Sequence, residues 1–424
     1  MKNMTRALAV GSMLLLGRSG YGMEVVRKDN MDMDVSGRLQ LFGLAENVDD
    51  KYRDDRRLYL FLKQARLALS GRYERYNYRA ELAFAGEEEV KAPNPGVSLN
   101  LLDLYVDAPL WRAARVRIGQ FKVPYSRERL ASSANLVFAD RSIQNLGFRM
   151  GRDVGAAVHA SRGFLTGTIG AFVGGGRDVP ERYLPQELGT PMVAARIGIS
   201  GLDEGPFAEA KEGTEPTGTR AGAFVNAVYL KDSKIGHSTV LNVKLSEKSL
   251  LLNPNWNPYI AKTPLDPGDL VQGGADLAME TPVGPWRLSA GTEVNYGRQR
   301  NVHGTVELAG GQAQVALSRN PVDVALRYAI LYSDDKVAFG ATRLMGTTPI
   351  QELTPALTYH LKGRWARITL DLPVLIDVPV VTETGIGSYV LTEQPDQSSA
   401  LAVKGSTFDR QTVVQGRLLF QIGF

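Results

Sequence analysis

The sequence predicts an all-β protein, a transmembrane antiparallel β-barrel of about sixteen strands, and three features predict it. Polar and apolar residues alternate with period two over long stretches. The connectors between those stretches alternate between short and long. The chain ends in one more alternating strand, closed by the aromatic Phe424.

The alternation is clearest in the second half. Trp286, Leu288, Ala290, Val294 and Tyr296 share one face, while Arg287, Ser289, Glu293 and Asn295 take the other. Val322, Val324, Leu326, Tyr328, Ile330 and Tyr332 repeat the pattern against Asp323 and Arg327, as do Ala366, Ile368, Leu370 and Leu372 against Arg367, Thr369 and Asp371. Period two with charges confined to one face marks a strand that is wet on one side. Soluble sandwiches average strands of about five or six residues, whereas these run to about ten, the length a tilted strand needs to cross hydrocarbon. Aromatics at stretch ends (Tyr73, Tyr105, Trp286, Tyr296, Tyr332 and Trp365) suit interfacial girdles.

Strands are expected near 33–44, 58–73, 76–85, 99–107, 115–121, 153–160, 164–173, 191–200, 219–229, 272–281, 286–296, 302–318, 322–332, 350–361, 364–374 and 412–424. A seventeenth candidate, 238–245, would break the short–long alternation of connectors everywhere downstream. It is therefore assigned to a hairpin inside the long connector 230–271, which leaves an even number of strands. The polar connector 201–218 is long where a short turn belongs, and the pattern does not explain it. Sixteen strands enclose an aqueous lumen rather than a packed core. At the end of the chain Val414, Gly416, Leu418, Phe420, Ile422 and Phe424 alternate with Gln415, Arg417 and Gln421. A lipid-facing strand closing on the first explains this, and the terminal aromatic resembles the signal read by the barrel assembly machinery.

Composition is consistent with export. Residues 1–22 carry Lys2 and Arg6, the apolar run 7–17 and small residues at Gly20 and Gly22, the pattern of a cleavable signal peptide. Residues 23–424 are then the barrel. Removing Lys2, Arg6 and Arg18, with no acid, takes the formal charge from +4 to +1, so the basic balance implies no nucleic-acid partner. The chain has no cysteine, and no apolar stretch is long enough for a membrane helix. Catalysis finds little support. The four histidines (His159, His237, His303 and His360) lack metal-ligand spacing, and no nucleophile elbow, phosphate loop or dinucleotide fingerprint occurs. No enzyme activity, cofactor or metal is expected. A barrel enzyme, for which His303 near Thr305 is the faint candidate, and a soluble β-rich binding module stand as the competing classes.

The connector 122–152 is the third long one by this strand count. It holds Lys122, Arg127, Arg129, Arg141, Arg149 and Arg152 against Glu128 and Asp140 alone. Pores select through charged groups at a constriction, and guanidinium matches oxyanions in pairs. These six cations are the candidate constriction and anion-binding residues, with Arg66, Arg79, Arg117 and Arg196 as candidate pore-wall residues. Together with Arg72, Arg115, Arg287, Arg327, Arg367 and Arg417, these four wall cations are nearly matched by Glu81, Asp103, Asp107, Asp153, Asp276, Glu280, Glu293, Asp323, Glu352 and Asp371.

Residues 115–155 carry a resemblance. Arg117-Ile-Gly-Gln120-Phe121-Lys122-Val-Pro124-Tyr125-Ser126-Arg-Glu128, Ser132-Ser133, Phe138-Ala-Asp140-Arg141-Ser142 and Gly151-Arg152-Asp153-Val-Gly155 resemble the phosphate-selective porin O and P family. Ala65-Arg66-Leu67 and Asp103-Leu-Tyr105-Val-Asp107 look like its second and fourth strands. The resemblance is tight over about 60–160 and looser to the C-terminus. It implies a trimeric sixteen-stranded barrel in the bacterial outer membrane, among lipid and lipopolysaccharide, with the third external loop folded into the lumen. It also implies passive diffusion of small anions such as phosphate. Arg141 after Asp140 matches a phosphate-binding position of the family. The dense arginine ladder of the phosphate channels is not evident here, so a general diffusion porin is the alternative.

Overall fold

The computed structural model describes residues 23–47, 56–86, 99–148, 150–173, 191–201, 218–233, 268–301, 304–335, 349–363, 365–383 and 407–424. The expected signal segment 1–22, the hairpin 238–245, the connector 202–217 and Arg149 lie outside the described residues.

The described strands are β1 Met23–Lys28, β2 Met31–Asn47, β3 Arg56–Tyr73, β4 Tyr76–Gly86, β5 Asn100–Trp111, β6 Ala114–Lys122, β7 Arg152–Arg162, β8 Leu165–Phe172 and β9 Met192–Ser200. They continue with β10 Arg220–Ser233, β11 Gly268–Val283, β12 Trp286–Asn301, β13 Gly304–Arg319, β14 Val322–Asp335, β15 Ile350–Lys362, β16 Ala366–Asp371, β17 Val374–Glu383 and β18 Thr407–Gly423. From β2 to β15 each pairs antiparallel with the next. The sheet closes where β18 pairs with β2, from Val414 opposite Asn47 to Gly423 opposite Arg38. β16 and β17 both pair with β15 and with β18, so they fill one wall position. The wall is a closed barrel of sixteen antiparallel strands.

Two departures from the expected strands have local causes. The expected strand 364–374 is split at Leu372-Pro373, because Pro373 has no N–H to give to the ladder. The chain bridges the gap with Leu372 N donating to the Pro355 carbonyl and Gln415 N donating to the Pro373 carbonyl. The second departure is β1, a six-residue strand that pairs with β2 alone and continues the line of β18 beyond its end.

Burial inverts the soluble rule. On β14, Val324, Leu326 and Tyr328 are 42–49% exposed, while Arg327 between them is 1% exposed. The outward face is the lipid face, and charged residues are inside. Tyr105, expected in an aromatic girdle, instead faces inward beneath Arg117, whose guanidinium carbon lies 3.8 Å from its ring centroid. It keeps step with the inward Asp103 and Asp107.

Phe424 extends the closure of β18 on β2 by one more pair. Phe424 and Gly37 exchange two backbone hydrogen bonds of 3.0 Å. A Cβ on Gly37 would lie inside the Phe424 ring, so the ring covers the glycine. Replacing Phe424 by serine, or Gly37 by valine, is expected to lower folded barrel in the outer membrane several-fold, read from unheated gel migration. Unchanged levels would make the contact incidental.

The tight turns after β3, β5, β7, β11, β13 and β15 all lie at one end, which they share with the longer link between β9 and β10. Short turns of bacterial barrels face the periplasm. The chain has no cysteine, so Phe164→Cys, in the exposed turn between β7 and β8, is a clean probe. A membrane-impermeant maleimide is expected to label it only after cells are permeabilised. Labelling on intact cells would invert the barrel.

Candidate constriction site

Between β6 and β7 the chain leaves the wall at Lys122 and returns at Arg152. The segment contains two single-turn helices, Arg127–Leu130 and Gln144–Gly147. Ser126 caps the first of them in the left-handed region, at φ 59°, with its hydroxyl accepting from Arg129 N. The apolar side chains of this segment, Val123, Tyr125, Ile143, Phe148 and Met150, pack in one cluster with Leu308, Leu331 and Ile350 of the wall.

Its backbone is held by inward side chains. Wall carboxylates accept from its amides: Glu293 from Glu128 N (3.0 Å), Asp371 from Ala139 N (2.9 Å) and Glu352 from Ile143 N (2.7 Å). Wall donors take its carbonyls: Lys63 Nζ that of Ala139 (2.8 Å), Arg327 that of Asp140 (2.9 Å), Thr358 that of Val137 (3.2 Å) and Gln40 that of Ser133 (3.2 Å). Arg38 donates to the Ser132 and Ser133 hydroxyls. These partners sit on β2, β3, β12, β14, β15 and β16, on the polar face of much of the wall.

Lys63 also pairs with the Asp140 carboxylate at 2.9 Å. Burial alone would raise the Asp140 carboxyl. The Lys63 ammonium and the Arg417 guanidinium, with the hydrogen bonds from Lys63 and Arg141 N, hold it below the ordinary carboxylate range. A depressed carboxyl contributes stability above its unfolded pKa and loses it only as pH falls through the lower folded value. The Lys63–Asp140 lock therefore persists in mild acid.

The candidate cations divide into two groups. Several are committed to carboxylates. Arg127 Nε donates to Asp276 at 2.6 Å, beside Arg196 on the same carboxylate. Arg152 Nε donates to Asp103 at 2.7 Å. Among the wall residues, Arg66 and Arg79 share Glu81, and Arg117 makes a two-pronged pair with Asp107 at 2.7 and 2.8 Å. The other group gathers on backbone. Lys122 Nζ donates to the Leu130 carbonyl at 2.8 Å and to that of Ala131 at 3.2 Å. The Arg141 guanidinium donates to the carbonyls of Glu128 and Ala131, both at 3.1 Å. Arg129 Nε donates to the Met150 carbonyl at 3.2 Å. Lys122 and Arg141 thus converge on one oxygen, at the C-terminal end of the first short helix. Among the described residues no carboxylate pairs with the Arg141 guanidinium, which is half-buried.

Sequence reasoning placed Glu293, Glu352 and Asp371 on the inward face without their role as acceptors for the inserted segment, and it passed over Arg38 and Lys63. Lys63 carried a readable signal. The outward leucines shift from even positions (58, 60, 62) to odd ones (67, 69), which marks an extra residue between. The register confirms a bulge, with Gln40 opposite Gln64 and Leu41 opposite Leu62, so that both Lys63 and Gln64 turn inward.

Comparison with known proteins agrees with this architecture. Residues 34–195 match the model of the phosphate-selective porin O and P family. No curated protein matches the chain in sequence. An anion-selective porin from Comamonas acidovorans superposes with a TM-score of 0.54 at 12% identity, over 93% of this chain and 100% of the other. The outer-membrane channel DcaP of Acinetobacter baumannii gives 0.52 at 13% identity over 96% and 100%. OmpF of Salmonella typhi, in complex with daunomycin, gives 0.51 at 13% over 95% and 100%. At such identities the likeness is one of fold. The matched family region runs from within β2 into β9 and contains the whole inserted segment, and the fold over nearly the whole chain is that of the bacterial outer-membrane β-barrel channels.

Proposed function

We propose that the barrel is a passive pore for small anions of the phosphate class, with its selectivity set by the inserted segment. The observation that carries this reading is the convergence of Lys122 and Arg141 on the Ala131 carbonyl, with no described carboxylate on the Arg141 guanidinium. Arg141 is anchored through neutral oxygens, so its charge acts on the lumen, and the Lys122 ammonium lies beside it. Arg129 holds the Met150 carbonyl, and Arg127 and Arg152 serve to pin the segment. An anion passing there sheds water and takes guanidinium and ammonium donors in its place. Residues 1–22 act as the export signal, the barrel assembly machinery inserts the rest, and the pore works as a homotrimer amid lipid and lipopolysaccharide. The solute crosses unchanged, without enzyme chemistry, cofactor or metal.

The balanced wall favours a second reading, a general diffusion porin. Arg66, Arg79, Arg117, Arg152 and Arg196 all face carboxylates, and such pairs have little field at a distance. Reversal potentials in planar bilayers under asymmetric salt separate the two. Anion preference, with block of chloride current by phosphate, supports the first. A pore that is unselective or prefers cations leaves the second standing.

A further inference from the structure

Much of the inward wall carries charged pairs, and four consecutive strands also bring carboxamides to it. Asn226 on β10, Gln272 on β11, Asn295 on β12 and Gln312 on β13 are all buried. The register puts Gly274 between Asn226 on one side and Asn295 on the other. A Cβ on Gly274 would collide with Oδ1 of Asn295, so that amide leans over the glycine. Gln272 stands two residues along β11 on the same face. Three amides therefore surround a glycine floor. The inserted segment lies beside them, the Tyr125 hydroxyl reaching the Gly273 carbonyl at 3.4 Å and the Phe148 ring lying against Gly297 and Gly310.

Both amide atoms of Asn226, both of Gln272 and Oδ1 of Asn295 are buried and bonded to no protein atom. Asn226 is 6% exposed, Gln272 1% and Asn295 5%. Buried polar groups in native proteins are satisfied, by protein or by ordered water. A carboxamide offers both a donor and an acceptor, and water or a hydroxyl can answer both.

We propose that this recess is a buried water site, in which ordered water bridges Asn226, Gln272 and Asn295 beneath the inserted segment. The segment then has two unlike flanks. Against β12, β15 and β16 it is held directly by carboxylates on its backbone. Among the described residues its direct hydrogen bonds to β10 and β11 are Arg127 to Asp276 and the long Tyr125 contact, and the proposed water adds to these. Water-mediated bonds rearrange at little cost, so this flank is the side on which the segment yields.

The test is a crystal structure of the full-length protein, grown without polyols at a resolution that shows ordered water. Discrete density within hydrogen-bond distance of at least two of the three amides is expected. Amides turned onto one another or onto other protein atoms, with no density between, would overturn the proposal. Density seen only after soaking with glycerol would also overturn it, since the site would then belong to a polyol. Asn226→Leu with Gln272→Leu should abolish the density, keep unheated gel migration and reduce open-channel current fluctuation at least twofold. Unchanged fluctuation in a folded variant would defeat the assignment of the yielding flank.

Discussion

Replacing Lys122 and Arg141 together by alanine is expected to lower the anion-to-cation permeability ratio by about tenfold, and to weaken phosphate block in step. The magnitude follows from Coulomb's law. A unit anion about 4 Å from a fixed cation gains about 1 kcal/mol in bulk water and about 4 kcal/mol at the lower effective dielectric of a protein wall. The constriction lies between these limits. The matched control is Arg117→Ala with Asp107→Ala, which deletes a cation and its carboxylate together and should change selectivity little. Arg117→Ala alone is a poor control, because it frees Asp107 to repel anions. Raising salt should shrink the wild-type preference, since charges facing solvent are screened within about 10 Å at 0.1 M. If the double alanine variant keeps its reversal potential, selectivity does not reside in the inserted segment.

Glu352→Ala is expected to release the segment. One oxygen of Glu352 accepts from Arg327 Nε at 3.0 Å and from the Thr354 hydroxyl at 2.6 Å, and the other accepts from Ile143 N at 2.7 Å. Arg327 is 1% exposed and also donates to the Asp140 carbonyl, so losing Glu352 leaves a buried guanidinium whose remaining carboxylate among the described residues is Glu128, at 3.9 Å. Breaking one partner of a buried pair costs about 3–5 kcal/mol. Conductance should rise and become noisy, and the folded band should be lost at a lower temperature in detergent. Glu352→Gln keeps the shape and an acceptor and should fall between. Wild-type conductance and heat stability in Glu352→Ala would mean that the segment is held elsewhere.

The wall was legible because each strand repeats one local rule. A residue such as Leu326 must meet lipid and its neighbour Arg327 must not, so the period-two code survives along almost every strand. Connector lengths carried the strand count, since placing 238–245 in the wall would have put long connectors at the turn end. The split at Pro373 and the bulge at Lys63 were written in the sequence as well, one as a missing donor and the other as a phase slip. Tyr105 was misplaced because an aromatic suits either a girdle or a bed for arginine. Only its step with Asp103 and Asp107 chooses between them.

By itself the sequence determined a membrane barrel, its strand number, the face that most strand residues present and the identity of the segment rich in cations. Only the tertiary structure decided which of those cations are spent. Arg127 and Arg152 read the same as Arg141 along the chain, yet the first two meet Asp276 and Asp103 from strands 149 and 49 residues away, while Arg141 meets backbone carbonyls. Alternation is a property of neighbours in sequence. Pairing across a lumen is set by which side chains the closed sheet and the inserted segment bring within hydrogen-bond reach, and no local period encodes that.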